Sequence, residues 1–457
     1  MSRSDEEASD VPLLSLAAVP PDRDHRMTRA SPLVVLRAAG TSIVLDVEGP
    51  GLPRVLHWGA DLGDCPDEGV LTAAAPVPPS SLDAPWPLTL LPLREDGWTG
   101  SPGVEGHRGG QGAPWSLRLS AVEYGGGRLR ASATDPTCGV DVTVELVLEP
   151  SGVLRVRGQV INTGADALDV AAVRLLMPLP PRAGEILDQT GRWAREAAPQ
   201  RLPLVFGGHR RAARRGRSGH DGPLLLVAGT SGFGFRSGEV WGAHVAWSGD
   251  REHLVERLPE GAGGHASVLG GGELLAPGEV RLGPGATYSS PWVHLVWSAS
   301  GLDGLSTRLH QMLRARPAHP RTPRPLVLNT WEAVYFDHDL DRLVALADAA
   351  ADMGVERFVL DDGWFLGRRD DRRGLGDWTV DPVVWPGGLH PLVDHVRHLG
   401  LQFGLWVEPE MVNLDSDLAR AHPDWVLGPP QESSVTWRTQ HVLDVARPDV
   451  FAHLLER

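Results

Sequence analysis

Lysine is absent from the 457-residue sequence, so all 43 basic side chains are arginines. A mechanism that needs a lysine must therefore take it from elsewhere. Cysteine is also scarce, because Cys65 and Cys138 are the only two, and this number excludes a disulfide framework. We expect both side chains to be reduced thiols.

Long apolar runs and a surplus of positive charge are missing too. No apolar stretch is long enough to cross a bilayer, and the first residues lack the basic segment and apolar core of a secretory signal. The formal net charge is -15, so the surface repels nucleic-acid phosphates and anionic lipids. We expect a cytoplasmic protein with no nucleic-acid partner and no membrane partner. The one basic run, His209–Arg217, is predicted to be a solvated loop.

The N-terminal two thirds of the chain has the pattern of an all-β domain. Hydrophobic residues make up 42% of the sequence, which is enough for two or three domain cores. Many short strand-like segments, separated by Gly, Pro and Asp, fill residues 31–300, and Val140–Leu148 alternates with period two. These residues predict an antiparallel β-sandwich. Residues 1–30 are predicted to be a polar, disordered tail, and residues 301–325 a helix and a Pro-rich linker.

Residues 326–457 change to alternating strand and helix. The predicted strands and helices are Leu326–Asn329, Leu340–Met353, Phe358–Leu360, Leu389–Leu399 and Phe403–Val407. This order predicts a parallel sheet, and no Gly-rich phosphate fingerprint follows a strand. The sequence therefore favours the first, incomplete part of a (β/α)8 TIM barrel, and the fold class is multidomain α and β.

Acids and tryptophans stand where these apolar strands end. Asp361 and Asp362 follow one strand, and paired carboxylates bind the vicinal hydroxyls of a sugar. Trp331, Trp364 and Trp406 stand at or just past strand ends, where indole rings cover the apolar face of a pyranose. The alternative for the acids is structural, since either could cap the turn before Gly363 or pair with a nearby arginine such as Arg357.

Three further side chains have less specific roles. Glu408 and Glu410 flank Pro409, and residues two apart on one strand end can hardly straddle a scissile bond, so they are predicted to line or brace the pocket. Arg438 could orient a carboxylate in the site, although a lone loop arginine is usually a surface residue. No cluster of His, Cys, Asp and Glu has metal-ligand spacing, so neither a metal nor another cofactor is expected.

Several blocks of residues 325–457 resemble glycoside hydrolase family 36, the melibiase-type α-galactosidases. The blocks that match in order are Asn329–Phe336, Val359–Phe365, Leu375–Trp378, Phe403–Val412 and His422–Leu427. The β-rich region upstream is similar to the N-terminal supersandwich domain of that family. The resemblance implies a glycoside hydrolase that removes terminal, non-reducing α-D-galactose from galacto-oligosaccharides with retention and without a cofactor.

The resemblance also implies roles for single residues. Asp361 and Asp362 would bind the hydroxyls that distinguish galactose, Trp331 and Trp406 would wall the pocket, and Arg438 would lie near the nucleophile. The family's nucleophile lies in a Lys-Trp-Asp strand, which a sequence without lysine does not contain, and its acid/base aspartate follows later. No catalytic residue is therefore assigned within these 457 residues, and both are expected beyond Arg457.

Three interpretations remain open at this stage. The chain is a fragment of an α-galactosidase, a non-catalytic galactose-binding remnant, or a fragment of an α-N-acetylgalactosaminidase. A homo-oligomer is an expectation from the resemblance alone.

Overall fold

A computed structural model describes residues 33–63, 88–112, 114–222, 224–262, 265–428 and 436–457. The chain divides into two compact units, Met1–His319 and Pro320–Arg457. The predicted N-terminal tail and Cys65 lie outside the described residues. Within the described parts, no helix is both long enough and apolar enough to span a membrane.

Antiparallel strands make up most of the first unit. In chain order these are β1 Leu33–Ala38, β2 Thr41–Asp46, β3 Arg54–Ala60, β4 Val104–Arg108, β5 Gln111–Gly112, β6 Arg118–Gly125, β7 Arg128–Asp135, β8 Val140–Leu148, β9 Val153–Asn162, β10 Leu168–Val173, β11 Leu175–Leu179, β12 Ala183–Arg192, β13 Arg195–Pro203, β14 Gly207–Ala213, β15 Leu226–Thr230, β16 Val240–Val245, β17 Arg251–Ala262, β18 His265–Glu273, β19 Val280–Leu282, β20 Thr287–Ser289 and β21 Val293–Ser298.

These strands form one large sheet and three smaller ones. The large sheet has the order β13-β12-β15-β16-β21-β9-β8-β7-β6, with β20 paired to β9. The smaller sheets have the orders β1-β2-β3, β19-β10-β4-β5 and β11-β18-β17-β14. The predicted alternation of β8 is confirmed, because Val140, Val142, Val144 and Leu146 are fully buried. Alternate side chains of one strand face the same side of a sheet, so this face of β8 packs into the largest hydrophobic core.

The interpretation of the basic run as a loop is wrong for its first half. His209 to Ala213 lie on β14, which pairs with β17 along its whole length. Arg211 Nε lies 3.0 Å from the buried carboxylate of Asp188, and His209 Nε2 lies 3.1 Å from the same oxygen. Neutralisation by acids that are distant in sequence lets this charged segment form an edge strand, and a local charge count does not show such partners.

The second unit follows a helix that ends the first, α1 Gly301–Arg314. The helices of the second unit are α2 Trp331–Val334, α3 Leu340–Asp352, α4 His390–His398, α5 Asp417–Ala421 and α6 Pro448–Glu456. Its strands are β22 Val327–Asn329, β23 Arg357–Leu360, β24 Gln402–Leu405, β25 Met411–Asn413 and β26 Gln440–Val442. Strands β22, β23 and β24 are parallel neighbours in that order, and β25 and β26 form a separate antiparallel pair.

The helix between the first two parallel strands is set by local sequence signals. The Asp339 side chain accepts a hydrogen bond from Arg342 N and caps the start of α3. Leu343, Ala347 and Ala350 recur at helical spacing and are buried. Gly354 ends the helix with a φ of +82°, a conformation that a side chain would strain. The parallel sheet with two crossover helices is therefore as the periodicity predicts.

Candidate active site

The carboxyl ends of three parallel strands bring the predicted site residues to one edge of the sheet. Asn329 on β22 is in register with Val359 on β23, which is in register with Gly404 on β24. The residues just after these positions include Trp331, the Asp361–Asp362 pair and Trp406. Side chains at this edge of a parallel sheet form the ligand-binding face in α/β folds.

Asp361 is a buried carboxylate whose two oxygens both accept hydrogen bonds. Its Oδ2 accepts from Asn329 Nδ2 at 2.5 Å, and its Oδ1 accepts from the Asp362 backbone N–H at 2.7 Å. The Asp361 backbone N–H donates to Thr330 Oγ1 at 3.0 Å, and Thr330 is fully buried. Neighbouring strand ends therefore set both the backbone and the side chain of Asp361.

Asp362 forms a two-point ion pair with a residue that the sequence did not single out. Arg368 Nε and Nη2 donate to Asp362 Oδ1 and Oδ2, each at 2.8 Å. Arg368 has no exposed surface and Asp362 is 3% exposed. The pairing with Arg357 that was considered from the sequence does not occur, because Arg357 donates to the side chain of Gln402 instead.

Trp331 and Arg438 contact each other. The guanidinium carbon of Arg438 lies 5.4 Å from the centre of the Trp331 ring, within the range of a cation–π contact. Asn329 Oδ1 accepts a hydrogen bond from the Trp331 backbone N–H at 2.8 Å, so Asn329 holds both Trp331 and Asp361. Arg438 also forms an ion pair with Asp371 at 3.2 Å. Arg438 and Trp331, which were both predicted from the sequence as site residues, are thus in contact.

Trp406 and Trp364 play different parts. Trp406 is half-buried, whereas Trp364 is 5% exposed and belongs to the hydrophobic core of the second unit. The Trp364 indole N–H donates to the Trp406 backbone carbonyl at 2.9 Å. Trp378 packs against both rings, with centroids 6.2 Å from each. Trp364 and Trp378 therefore pack beneath the partly exposed Trp406 on the side of the hydrophobic core. Part of the Trp406 surface stays exposed to solvent.

Glu408 is a further carboxyl group near Asp361 and Asp362 at this edge of the parallel sheet. Burial raises its pKa, and the negative charges of Glu410 and Asp362 raise it further. The positive charges of Arg368 and Arg438 act in the opposite direction. Gln440 Nε2 donates to Glu408 Oε2 at 3.3 Å. The protonation of Glu408 is coupled to the charged groups on both sides of the site.

Sequence reasoning did not identify Arg368 and Asn413, which complete the site. Arg368 Nη1 donates to Asn413 Oδ1 at 3.0 Å, and Asn413 Nδ2 donates to the Thr439 carbonyl at 3.0 Å, next to Arg438. Asn413 is fully buried. A weak signal for Asn413 exists in the block Phe403–Val412, which it follows directly. For Arg368 the sequence offers no signal. Four arginines stand close together there, Arg368, Arg369, Arg372 and Arg373, and nothing in their order distinguishes Arg368 from the others.

In the described parts of the chain, no group of three or more His, Cys, Asp and Glu side chains has the geometry of a metal site. The chemistry available at this edge is that of carboxylate, guanidinium, amide and indole groups. These groups bind hydroxyls through charge-assisted hydrogen bonds and bind C–H faces through aromatic rings. The arrangement suits a neutral, hydroxyl-rich ligand such as a sugar.

Comparison with protein families gives two matches that together cover most of the chain. Residues 51–283 match the glycosyl hydrolase family 36 N-terminal domain, and residues 287–457 match the melibiase family. These two matches agree with the observed order of a β-rich domain followed by parallel β/α units. The chain belongs to glycosyl hydrolase family 36. The predicted fold class is confirmed, an N-terminal β domain of this family followed by part of a TIM-barrel-like region.

Individual relatives agree with this placement. The chain is 39% identical over 406 residues to an α-galactosidase of Escherichia coli, covering 88% of this chain and 57% of that protein. It is 37% identical to the α-galactosidase AgaA of Geobacillus stearothermophilus over 70% of this chain and 44% of that protein. A crystal structure of AgaA superimposes with a TM-score of 0.83 at 30% identity, covering 93% of this chain and 63% of that one. The chain thus spans about half the length of the curated relatives it matches.

Proposed function

We propose that the protein is an α-galactosidase that hydrolyses terminal, non-reducing α-D-galactose from oligosaccharides with retention of configuration. The observation that carries this proposal is the pair of buried carboxylates, Asp361 and Asp362, held by hydrogen bonds at the sheet edge beside Trp331 and Trp406. Galactose differs from glucose by an axial hydroxyl at C4. Recognition of such a group needs fixed acceptors beside an apolar wall.

Each site residue receives a role in this proposal. Asp361 and Asp362 accept hydrogen bonds from the hydroxyls of galactose, and each has lone pairs left after its contacts within the protein. Trp331 and Trp406 cover the apolar faces of the ring. Arg438, fixed against Trp331, orients a carboxylate of the reaction centre. No residue of this site is assigned as nucleophile or as acid/base.

The substrates are proposed to be galacto-oligosaccharides. Support comes from relatives, since solved structures of AgaA variants contain raffinose in one case and stachyose in another. We also propose the domain division at residues 31–300, 301–325 and 326–457, a cytoplasmic location and a homo-oligomer. Light scattering coupled to gel filtration measures the oligomeric state directly.

The test uses the protein as its gene encodes it and measures hydrolysis of p-nitrophenyl α-D-galactopyranoside. Asp361→Asn and Asp362→Asn are each expected to lower kcat/KM by more than about tenfold, which corresponds to about 1.4 kcal/mol of transition-state stabilisation. Asp370→Asn is the matched control. Asp370 lies in the same loop region, and its carboxylate accepts hydrogen bonds from Arg372 N and the Arg373 side chain.

Other outcomes separate the remaining interpretations. Galactose binding without any turnover by the natural protein supports a galactose-binding remnant and rejects the hydrolase. A higher rate on the N-acetyl-α-galactosaminide than on the galactoside supports an α-N-acetylgalactosaminidase. Full activity in both carboxylate variants removes Asp361 and Asp362 from substrate binding.

A further inference from the structure

The side chain of Arg368 is a completely buried cation inside the candidate active site. Burying a guanidinium is unfavourable unless charge and hydrogen bonds compensate it, and its five N–H donors have a fixed planar geometry. Here two donors bind Asp362, while Nη1 binds both the Arg373 carbonyl at 2.9 Å and Asn413 Oδ1 at 3.0 Å. The Arg368 side chain is therefore compensated by contacts in several directions.

The two-point contact fixes the plane of the Asp362 carboxylate. One hydrogen bond allows a carboxylate to rotate about that bond, whereas two parallel bonds from one fork set both its position and its plane. Phe336 and Phe365 restrict the guanidinium itself, because their ring centres lie 5.3 Å and 5.8 Å from its carbon. The directions of the remaining Asp362 lone pairs are consequently set by Arg368.

Asn413 braces Arg368 and connects it to the other side of the site. Its Oδ1 accepts from Arg368 Nη1 and from the Leu375 backbone N–H at 3.2 Å. Its Nδ2 donates to the Thr439 carbonyl, and Thr439 directly follows Arg438. A continuous series of hydrogen bonds thus runs from the Asp362 carboxylate through Arg368 and Asn413 to the Thr439 backbone, next to Arg438.

We propose that Arg368 is a positioning residue for sugar recognition, which aims the Asp362 carboxylate at one hydroxyl of galactose, with Asn413 as its brace. This inference rests on the proposed function. Arg368 touches no substrate in this role and acts only through Asp362. A residue needed only for folding would instead affect all substrates to the same extent.

The test compares p-nitrophenyl α-D-galactopyranoside with its 2-, 3-, 4- and 6-deoxy analogues in the natural protein. Asp362→Asn first identifies the hydroxyl that Asp362 recognises, since removal of that hydroxyl weakens the wild type but not the variant. Arg368→Lys keeps the charge and loses the planar fork. We expect it to lower kcat/KM for the parent substrate by about 10- to 100-fold, as is typical when a supporting contact of a site is lost. For the analogue that lacks the identified hydroxyl, we expect less than about a threefold change.

Two controls make the result specific. Arg369→Lys changes the adjacent arginine, which pairs with Asp381 rather than with Asp362, and it should leave the deoxy profile unchanged. In an Asp362→Asn background, Arg368→Lys should have little further effect, because the group through which it acts is already altered. Thermal unfolding is recorded for every variant.

The outcomes are separable. Absence of turnover and of galactoside binding in the wild type would reject the proposed function. An active wild type in which Arg368→Lys weakens all five substrates equally would overturn the positioning role. Should Arg368→Lys fail to fold, Asn413→Ser is tested instead. This substitution leaves both partners of the ion pair in place and removes the side chain that braces Arg368. It should show a smaller loss, about 3- to 10-fold, confined to the same hydroxyl, whereas a uniform loss would count against the proposal.

Discussion

Replacement of His338 by phenylalanine should make the second unit less sensitive to acid. His338 is 9% exposed and packs edge-on against Trp385, with ring centres 5.9 Å apart. Burial lowers its pKa to about 4, and the positive charge of Arg369 adds to this effect. Neither ring nitrogen has a partner at good hydrogen-bond geometry, and the nearby backbones of Tyr335 and Asp362, together with the negative charge of Asp361, oppose the lowering of the pKa. A phenyl ring therefore replaces the imidazole without loss of a hydrogen bond.

The magnitude follows from the two pKa values. The histidine titrates near 6.5 in the unfolded chain and near 4 in the folded protein. Its neutral state contributes stability that is complete above about pH 6.5 and is lost as the pH falls toward 4, because the unfolded chain binds the proton first. At about 1.4 kcal/mol per pH unit, the full difference is about 3 kcal/mol, and roughly 2.5 kcal/mol of it is lost by about pH 4.5.

The assay is urea unfolding of the wild type and of His338→Phe at pH 7 and at pH 4.5. Both proteins lose stability from their other titrating groups, and this common part cancels in the difference between the two proteins. We expect the variant to gain roughly 2.5 kcal/mol relative to the wild type between the two pH values. An equal loss of stability in both proteins would refute the reasoning that His338 is held neutral by burial.

Two further substitutions test other contacts of the same edge. Thr330→Val removes the hydroxyl that accepts from the buried Asp361 backbone N–H, so the free energy of unfolding should fall by about 1–3 kcal/mol, whereas Thr330→Ser should retain most of it. Chemical denaturation of both variants measures this difference, and equal losses would contradict the role of the hydroxyl. Glu408→Gln should raise the thermal midpoint at pH 7, because burial and the charges of Glu410 and Asp362 raise the Glu408 pKa and disfavour its ionised form in the folded protein. The gain should disappear below the pKa of the carboxyl group, and a gain that persists at pH 3 would contradict this explanation.

Much of the fold follows from local patterns. The period-two run Val140–Leu148 is strand β8 with the same bounds, and the helical run from Leu340 ends at Gly354 as predicted. The prediction of a loop for His209–Arg217 is wrong for its first half, because this half pairs with β17 and its arginines form ion pairs with Asp188 and Glu252. Local charge density describes a segment in water, whereas strand formation here depends on partners far away in the sequence.

The sequence by itself determined the positions of the acids and tryptophans of the site. Strand periodicity locates the ends of β22, β23 and β24, and parallel strands bring their carboxyl ends to one edge, so Trp331, Asp361, Asp362 and Trp406 could be named from the sequence. That part depends on short-range order, which side-chain alternation records directly.

Only the tertiary structure decided which residues hold those groups in place. The segment from Arg368 to Arg373 contains four arginines. One of them, Arg368, has no contact with solvent and pairs with Asp362. Asn413 is brought to it from β25, 45 residues further along the chain. The physical reason is that the burial of a charge is decided by the packing of distant segments, because its compensation needs partners on every side. Sequence spacing locates the acids and tryptophans that we propose bind the sugar, and packing specifies the residues that hold them in place.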